Sequence, residues 1–106
     1  MSMGEFVKVA TTEEIPVGKM KGVEVNDQKV VVVHTDKGFF ALVDECTHDS
    51  APISGGRIRN GHLLCIRHGA QFDPKTGAVL APPAVVPLDT LELKIEGDDI
   101  LVMVDD

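Results

Sequence analysis

The sequence predicts an all-β fold, an antiparallel β sandwich or barrel that carries a small insert. Short apolar, β-branched runs such as FVKVA, KVVVVHT and DILVMV recur between turn residues, and no segment sustains a helical period. Residues 45–75 interrupt this pattern with polar, glycine-bearing stretches.

Each element follows from its local chemistry. FVKVA (6–10) is the first strand, and Thr11 or Thr12 can cap one helical turn that stops near Pro16. MKGVEV, KVVVVHT and FFALVD are separated by Asn26-Asp27 and by Asp36-Lys37-Gly38, so they form a three-stranded meander. Beyond Asp44, ECTHDSAPISGGRIRNGH (45–62) reads as loop, and HLLCI and QFD as brief strands. DPKTG is a turn, with Asp73, Thr76 and Gly77 supplying turn chemistry, and AVL follows it. The prolines of APPAVVPL demand an irregular, extended path. LELKIE and DILVMV, joined through Gly97, Asp98 and Asp99, close the chain as a hairpin. One domain over 1–106 is therefore expected, with 1–44 and 76–106 as a base sandwich and 45–75 as an insert. The insert has little core of its own, so something else must hold it together.

A chain of 106 residues suits one core without disulfide support. Its net charge of −7 argues against nucleic acid, which requires a cationic footprint. The charge is uneven. Between Cys46 and Lys75, Arg57, Arg59, Arg67 and Lys75 outnumber Asp49 and Asp73, whereas the remainder is strongly acidic. No apolar run reaches the length of about 18 residues that a membrane span needs, and the N-terminus lacks a signal-peptide pattern. The expectation is a soluble, cytoplasmic chain with no membrane partner. With no Trp and no Tyr, four Phe and many aliphatic residues must fill the core, and any bound chromophore would dominate the absorption spectrum.

The two cysteines lie in CTH (46–48) and CIRHG (65–69). In a reducing compartment they are poor disulfide candidates, and the nearby histidines point to metal ligation by Cys46, His48, Cys65 and His68. The pattern is CxH, sixteen residues, then CxxH. Residues two apart in an extended loop project to one side, about 6 to 7 Å apart, which suits delivery to neighbouring metal atoms. A structural Cys₂His₂ zinc site is one reading, although zinc fingers favour spacers of two to four residues within each pair. The other is a 2Fe-2S centre with both thiolates on one iron and both imidazoles on the other.

CTHDSAPISGG followed by CIRHGAQFDPKTG resembles the two cluster-binding boxes of Rieske ferredoxins, the small electron carriers of bacterial ring-hydroxylating dioxygenases and related oxygenases. The resemblance covers nearly the whole chain, including the strand order, the PPAVVPL segment and the closing hairpin. It implies one Rieske-type 2Fe-2S cluster, with Cys46 and Cys65 on the buried iron and His48 and His68 on the outer iron. It also implies that Pro82 to Pro87 folds over the cluster, and that Gly69 lets the backbone pass close by. Many relatives carry proline at Ile66 and glycine at Asp49, so loop detail departs from the family while the ligand pattern does not.

The implied function is one-electron transfer between a flavoprotein reductase and a terminal oxygenase, not catalysis on an organic substrate. Rival readings are a Rieske-type small subunit of another oxidoreductase, such as a nitrite reductase, and a zinc-stabilised binding module. High-potential Rieske proteins carry a loop-bridging disulfide and Ser and Tyr donors. At the corresponding positions this chain has Ala51 and Arg67, Ala70, and Phe72, so a potential near the low end is expected. Imidazoles on an oxidised iron lose protons more readily than free ones, so the potential should fall with rising alkaline pH. His34 reads as a structural histidine at the end of an apolar run, and His62 as a polar-turn residue. Arg57, Arg59 and Arg67 are equally consistent with partner docking and with solvated surface. Glu96, Asp98, Asp99, Asp105 and Asp106 form a solvated acidic face.

Overall fold

The structure, a computed structural model, describes residues 4–45, 52–65, 70–81 and 86–104. Strand β1 (Glu5–Thr11) runs into a single 3-10 turn, Thr12–Glu14. Thr11 caps this turn, donating its N–H to Glu14 Oε1 at 2.8 Å and its hydroxyl to the same oxygen at 3.2 Å. Lys21 Nζ lies 2.6 Å from Glu14 Oε2. These contacts, the Lys21 hydrogen bond foremost, lower the Glu14 carboxyl pKa to about 2.

The expected meander follows as β2 (Met20–Val25), β3 (Gln28–Thr35) and β4 (Gly38–Val43), paired without a register break. Asn26 and Asp27 both take positive φ, 50° and 63°, the two-residue hairpin turn whose twist matches its flanking strands.

Four short strands then form a separate antiparallel sheet in sequence order: β5 (Arg57–Arg59), β6 (His62–Leu64), β7 (Gln71–Phe72) and β8 (Val79–Ala81). The sequence reading took 45–62 as loop, yet Arg57–Arg59 pairs with β6 across a tight turn at Asn60-Gly61, again with both φ positive. Three residues between polar neighbours are too short to show a period, and only the partner strand makes them a strand. This sheet also runs on to Ala81, past the edge at residue 75 read from the sequence, because β8 returns to pair with β7. Between them the DPKTG turn forms as expected. Gly77 N–H reaches the Asp73 carbonyl at 2.7 Å, and the Asp73 and Thr76 side chains accept the Lys75 and Ala78 N–H groups.

The stretch LELKIE divides. β9 (Thr90–Leu91) joins β4, whereas β10 (Leu93–Glu96) pairs with β11 (Asp99–Val104), so the chain changes sheet at Glu92. The closing hairpin therefore forms, but its first strand is shorter than the apolar pattern suggests. The base is thus two sheets, β1-β11-β10 and β2-β3-β4-β9, and the third sheet is β5-β6-β7-β8.

Four consecutive valines on β3 fix how these layers stack. Val30 to Val33 are all fully buried. Neighbouring residues in a strand face opposite sides, so burying all four requires a layer on each face. Val30 and Val32 share a core with Ala10, Ala41, Ile100 and Val102. Val31 and Val33 share the other with Leu42, Ile53, Leu63, Cys65 and Phe72, which carries the third sheet. Leu42 is fully buried in that second core. Leu42→Ala is expected to destabilise the protein by about 2 to 5 kcal/mol in urea denaturation. A loss below about 1 kcal/mol would show that this core does not bind the third sheet to the base.

Candidate metal centre

The strand ends gather the candidate ligands' flanks at one place. β4 ends at Val43, whose N–H donates to the Asp89 carbonyl at 2.9 Å, and Asp44 N–H donates to the Lys29 carbonyl at 3.0 Å. The Asp44 side chain is 6 % exposed. Its Oδ1 accepts the Ser54 N–H at 2.7 Å and its Oδ2 accepts the Ser54 hydroxyl at 2.6 Å. Ser54 lies in a 3-10 turn, Ile53–Gly55, with the Ile53 side chain fully buried. The Asp44–Ser54 contact thus joins the described residues on either side of 46–51, the segment of Cys46 and His48, at one narrow neck.

Cys65 follows β6. It is a free thiol, 2 % exposed, in the core with Leu63, Ala70 and Phe72. Its N–H donates to the Ala70 carbonyl at 2.8 Å, closing the ends of the four-residue segment 66–69 that contains His68. Strand pairing of Leu63 with Phe72 and Leu64 with Gln71 holds both ends of that segment. Gly56 enters β5 against this hairpin. A β-carbon on Gly56 would collide with the backbone carbonyl of Leu64, the residue before Cys65. Here glycine is required for close approach of two stretches of backbone rather than for a turn.

Of the four residues singled out as ligands, Cys65 is described, and Cys46, His48 and His68 lie outside the described residues, as do Ala51, Ile66, Arg67, Gly69 and 82–85. Pro87 is described, and next to it Leu88 N–H donates to the Gly77 carbonyl at 2.8 Å, which anchors one end of the proline segment beside the DPKTG turn. Ala70 and Phe72 are fully buried and offer Cys65 no side-chain donor. His34 belongs to the base: its Nδ1 donates to the Ile15 carbonyl at 2.6 Å, and its ring stacks on Phe39 at 3.8 Å. His62 sits at the opposite end of β6 from Cys65, about 10 Å along the strand, with its Nδ1 3.4 Å from Gln71 Oε1. It lines an open cleft of about 500 Å³ with Lys37, Asn60, Asp73 and Lys75. Arg57 and Arg59 are exposed on β5. The sequence reading missed Asp44 and Ser54. An acid ending an apolar strand just before a candidate ligand is visible in the sequence, but its partner ten residues on is not.

Residues 5–104 match the model of the Rieske [2Fe-2S] domain. The chain belongs to this family. It is 37 % identical over 98 residues to the biphenyl dioxygenase ferredoxin subunit of Pseudomonas sp. (strain KKS102), covering 92 % of this chain and 90 % of that one. The ferredoxin of carbazole 1,9a-dioxygenase from Nocardioides aromaticivorans IC177 superposes with a TM-score of 0.86 at 29 % identity, over 92 % of this chain and 95 % of that one. A second solved structure, a complex of reduced oxygenase and oxidised ferredoxin in carbazole 1,9a-dioxygenase, gives a TM-score of 0.86 at 27 % identity, over 92 % of each chain.

The fold is that of the Rieske ferredoxins, the cofactor is one Rieske-type 2Fe-2S cluster, and the chain is an electron carrier rather than a catalytic subunit. The described residues fit the cluster. A soft sulfur donor in a reduced, buried position, with imidazoles nearby in the sequence, is a donor set suited to iron and sulfide. No helix among the described residues is long and apolar enough to cross a membrane. Gly56→Ala is expected to cost about 1 to 3 kcal/mol by forcing β5 away from β6. It should also lower the visible absorbance per chain, because the displaced carbonyl adjoins Cys65. A variant with full absorbance and wild-type stability would contradict the close approach.

Proposed function

We propose that Cys46, His48, Cys65 and His68 hold the cluster, and that the chain carries single electrons from a flavin-dependent reductase to a terminal ring-hydroxylating oxygenase. The observation that carries this reading is the placement of Cys65, a buried free thiol closing a hairpin whose short connecting segment contains His68. When bound, the cluster supplies a one-electron couple. Cys46 and Cys65 would furnish thiolates to one iron, and the burial of Cys65 suits that role. His48 and His68 would furnish imidazoles to the other iron.

The oxygenase partner is supported by the solved carbazole complex, in which a relative of similar length is paired with its oxygenase. The reductase is inferred from the same logic, since a carrier that gives electrons to an oxygenase must receive them elsewhere. A freely exchanging carrier is favoured over a permanently bound subunit because similar chains are named as ferredoxin components of dioxygenase systems, and one such ferredoxin is found in complex with an oxygenase. A reducing, cytoplasmic setting suits thiolate ligands. The low potential expected from the sequence is supported by the apolar Ala70 and Phe72 beside Cys65, because hydrogen bonds to sulfur raise Rieske potentials.

Air-oxidised protein should contain iron and acid-labile sulfide in the proportion of one 2Fe-2S cluster per chain. Its midpoint should fall below about +100 mV, in the lower part of the Rieske span. Cys65→Ser should purify without visible colour. Zinc with no sulfide, a midpoint above that value, or a fully coloured Cys65→Ser variant would each refute a part of the proposal.

A further inference from the structure

Asp44 is a buried acid that the ligand set does not use. Among the described residues no Lys or Arg neutralises it, and both of its oxygens are taken by Ser54 at 2.6 and 2.7 Å. The carboxylate therefore spans the two ends of the segment that holds Cys46 and His48. A third residue makes room for this contact from the base. A β-carbon on Gly22, on edge strand β2, would stand 2.6 Å from Ser54 Oγ and 2.7 Å from Asp44 Oδ2, inside van der Waals contact with both. Gly22 therefore lets the β2 edge lie against the paired side chains, while the Asp44 N–H bond to Lys29 and the buried Ile53 fix the two ends to the base.

We infer that Asp44, Ser54 and Gly22 form a clamp at the neck of the 46–51 segment that positions the Cys46 and His48 pair, and that the fixed negative charge of Asp44 lowers the reduction potential. This rests on the ligand assignment proposed above. Two physical effects separate within the clamp. Closing a segment at its neck removes conformational freedom from the ligands it contains, so each lost hydrogen bond loosens metal retention. A buried carboxylate two residues from a ligand opposes the arrival of an electron, because the field of a fixed charge is weakly screened away from water. The clamp holds the metal through its hydrogen bonds and sets the potential through its charge. Asp44 and Ser54 are positioning residues, since neither is a ligand.

The test compares wild type, Asp44→Asn and Ser54→Ala, loaded with cluster. It measures the midpoint potential and the rate at which visible absorbance is lost to an iron chelator. Asp44→Asn should raise the midpoint, by about tenfold in the reduction equilibrium, which is about 59 mV for one electron. Ser54→Ala keeps the charge. Its midpoint should stay near wild type while the cluster is lost about two- to tenfold faster, the range one hydrogen bond gives. A loaded Asp44→Asn variant at the wild-type midpoint would overturn the electrostatic role. An unchanged loss rate in Ser54→Ala would overturn the clamp. Should Asp44→Asn hold no cluster, Asp44→Glu retains the charge on a longer arm. Its midpoint should then stay near wild type, and a large positive shift would overturn the role of the charge. Wild-type protein that holds no iron and sulfide would defeat the ligand assignment itself, a separate result from either of these.

Discussion

The structure depends on burying both faces of β3. Four adjacent valines cannot all reach one core, so the strand must be covered on each side. One side takes the sheet made by the chain's two ends, β1, β10 and β11. The other takes Ile53, Leu63, Phe72 and Cys65. The part of the molecule that carries the chemistry is therefore attached to the base through a hydrophobic core of its own, formed on the back of the same strand. A small sheet of two- and three-residue strands has too little area to stand alone. Here it borrows the apolar face of β3 and β4.

That attachment bears on function because Cys65 is part of the core as well as a proposed ligand. Its backbone N–H is bonded to Ala70, and its neighbours are aliphatic or aromatic. As a ligand, a sulfur donor held this firmly would rearrange little when an electron arrives or leaves. The same apolar surroundings leave Cys65 without side-chain donors from Leu63, Ala70 or Phe72, which is consistent with a carrier of low potential.

The elements governed by local rules were legible in the sequence. The Asn26-Asp27 turn, the Thr11 cap, the DPKTG turn and the β10-β11 hairpin each follow from a few adjacent residues, and each forms where its chemistry indicates. What depends on distant partners was not legible. Arg57–Arg59 is a strand only because His62–Leu64 lies beside it, and LELKIE divides at Glu92 because its halves meet different sheets. The Asp44 to Ser54 contact was hidden for the same reason, since an aspartate at a strand end is most often solvated and nothing local marks it as buried. The spacing of the two Cys–His pairs pointed to metal ligation by Cys46, His48, Cys65 and His68, an assignment that stands as a proposal. The choice of iron-sulfur over zinc rested on the short CxH spacer and on the resemblance of both boxes, and the family match bears out the cluster.

The central claim is that imidazoles and thiolates of this chain share one binuclear iron centre. Pulsed electron paramagnetic resonance on the reduced protein tests it most directly, because a reduced cluster is paramagnetic and only directly bound nitrogen couples to it strongly. The account predicts hyperfine couplings from two histidine nitrogens, with one pattern of couplings lost in His68→Cys. A silent sample, or a cluster signal with no strong nitrogen coupling, would contradict it.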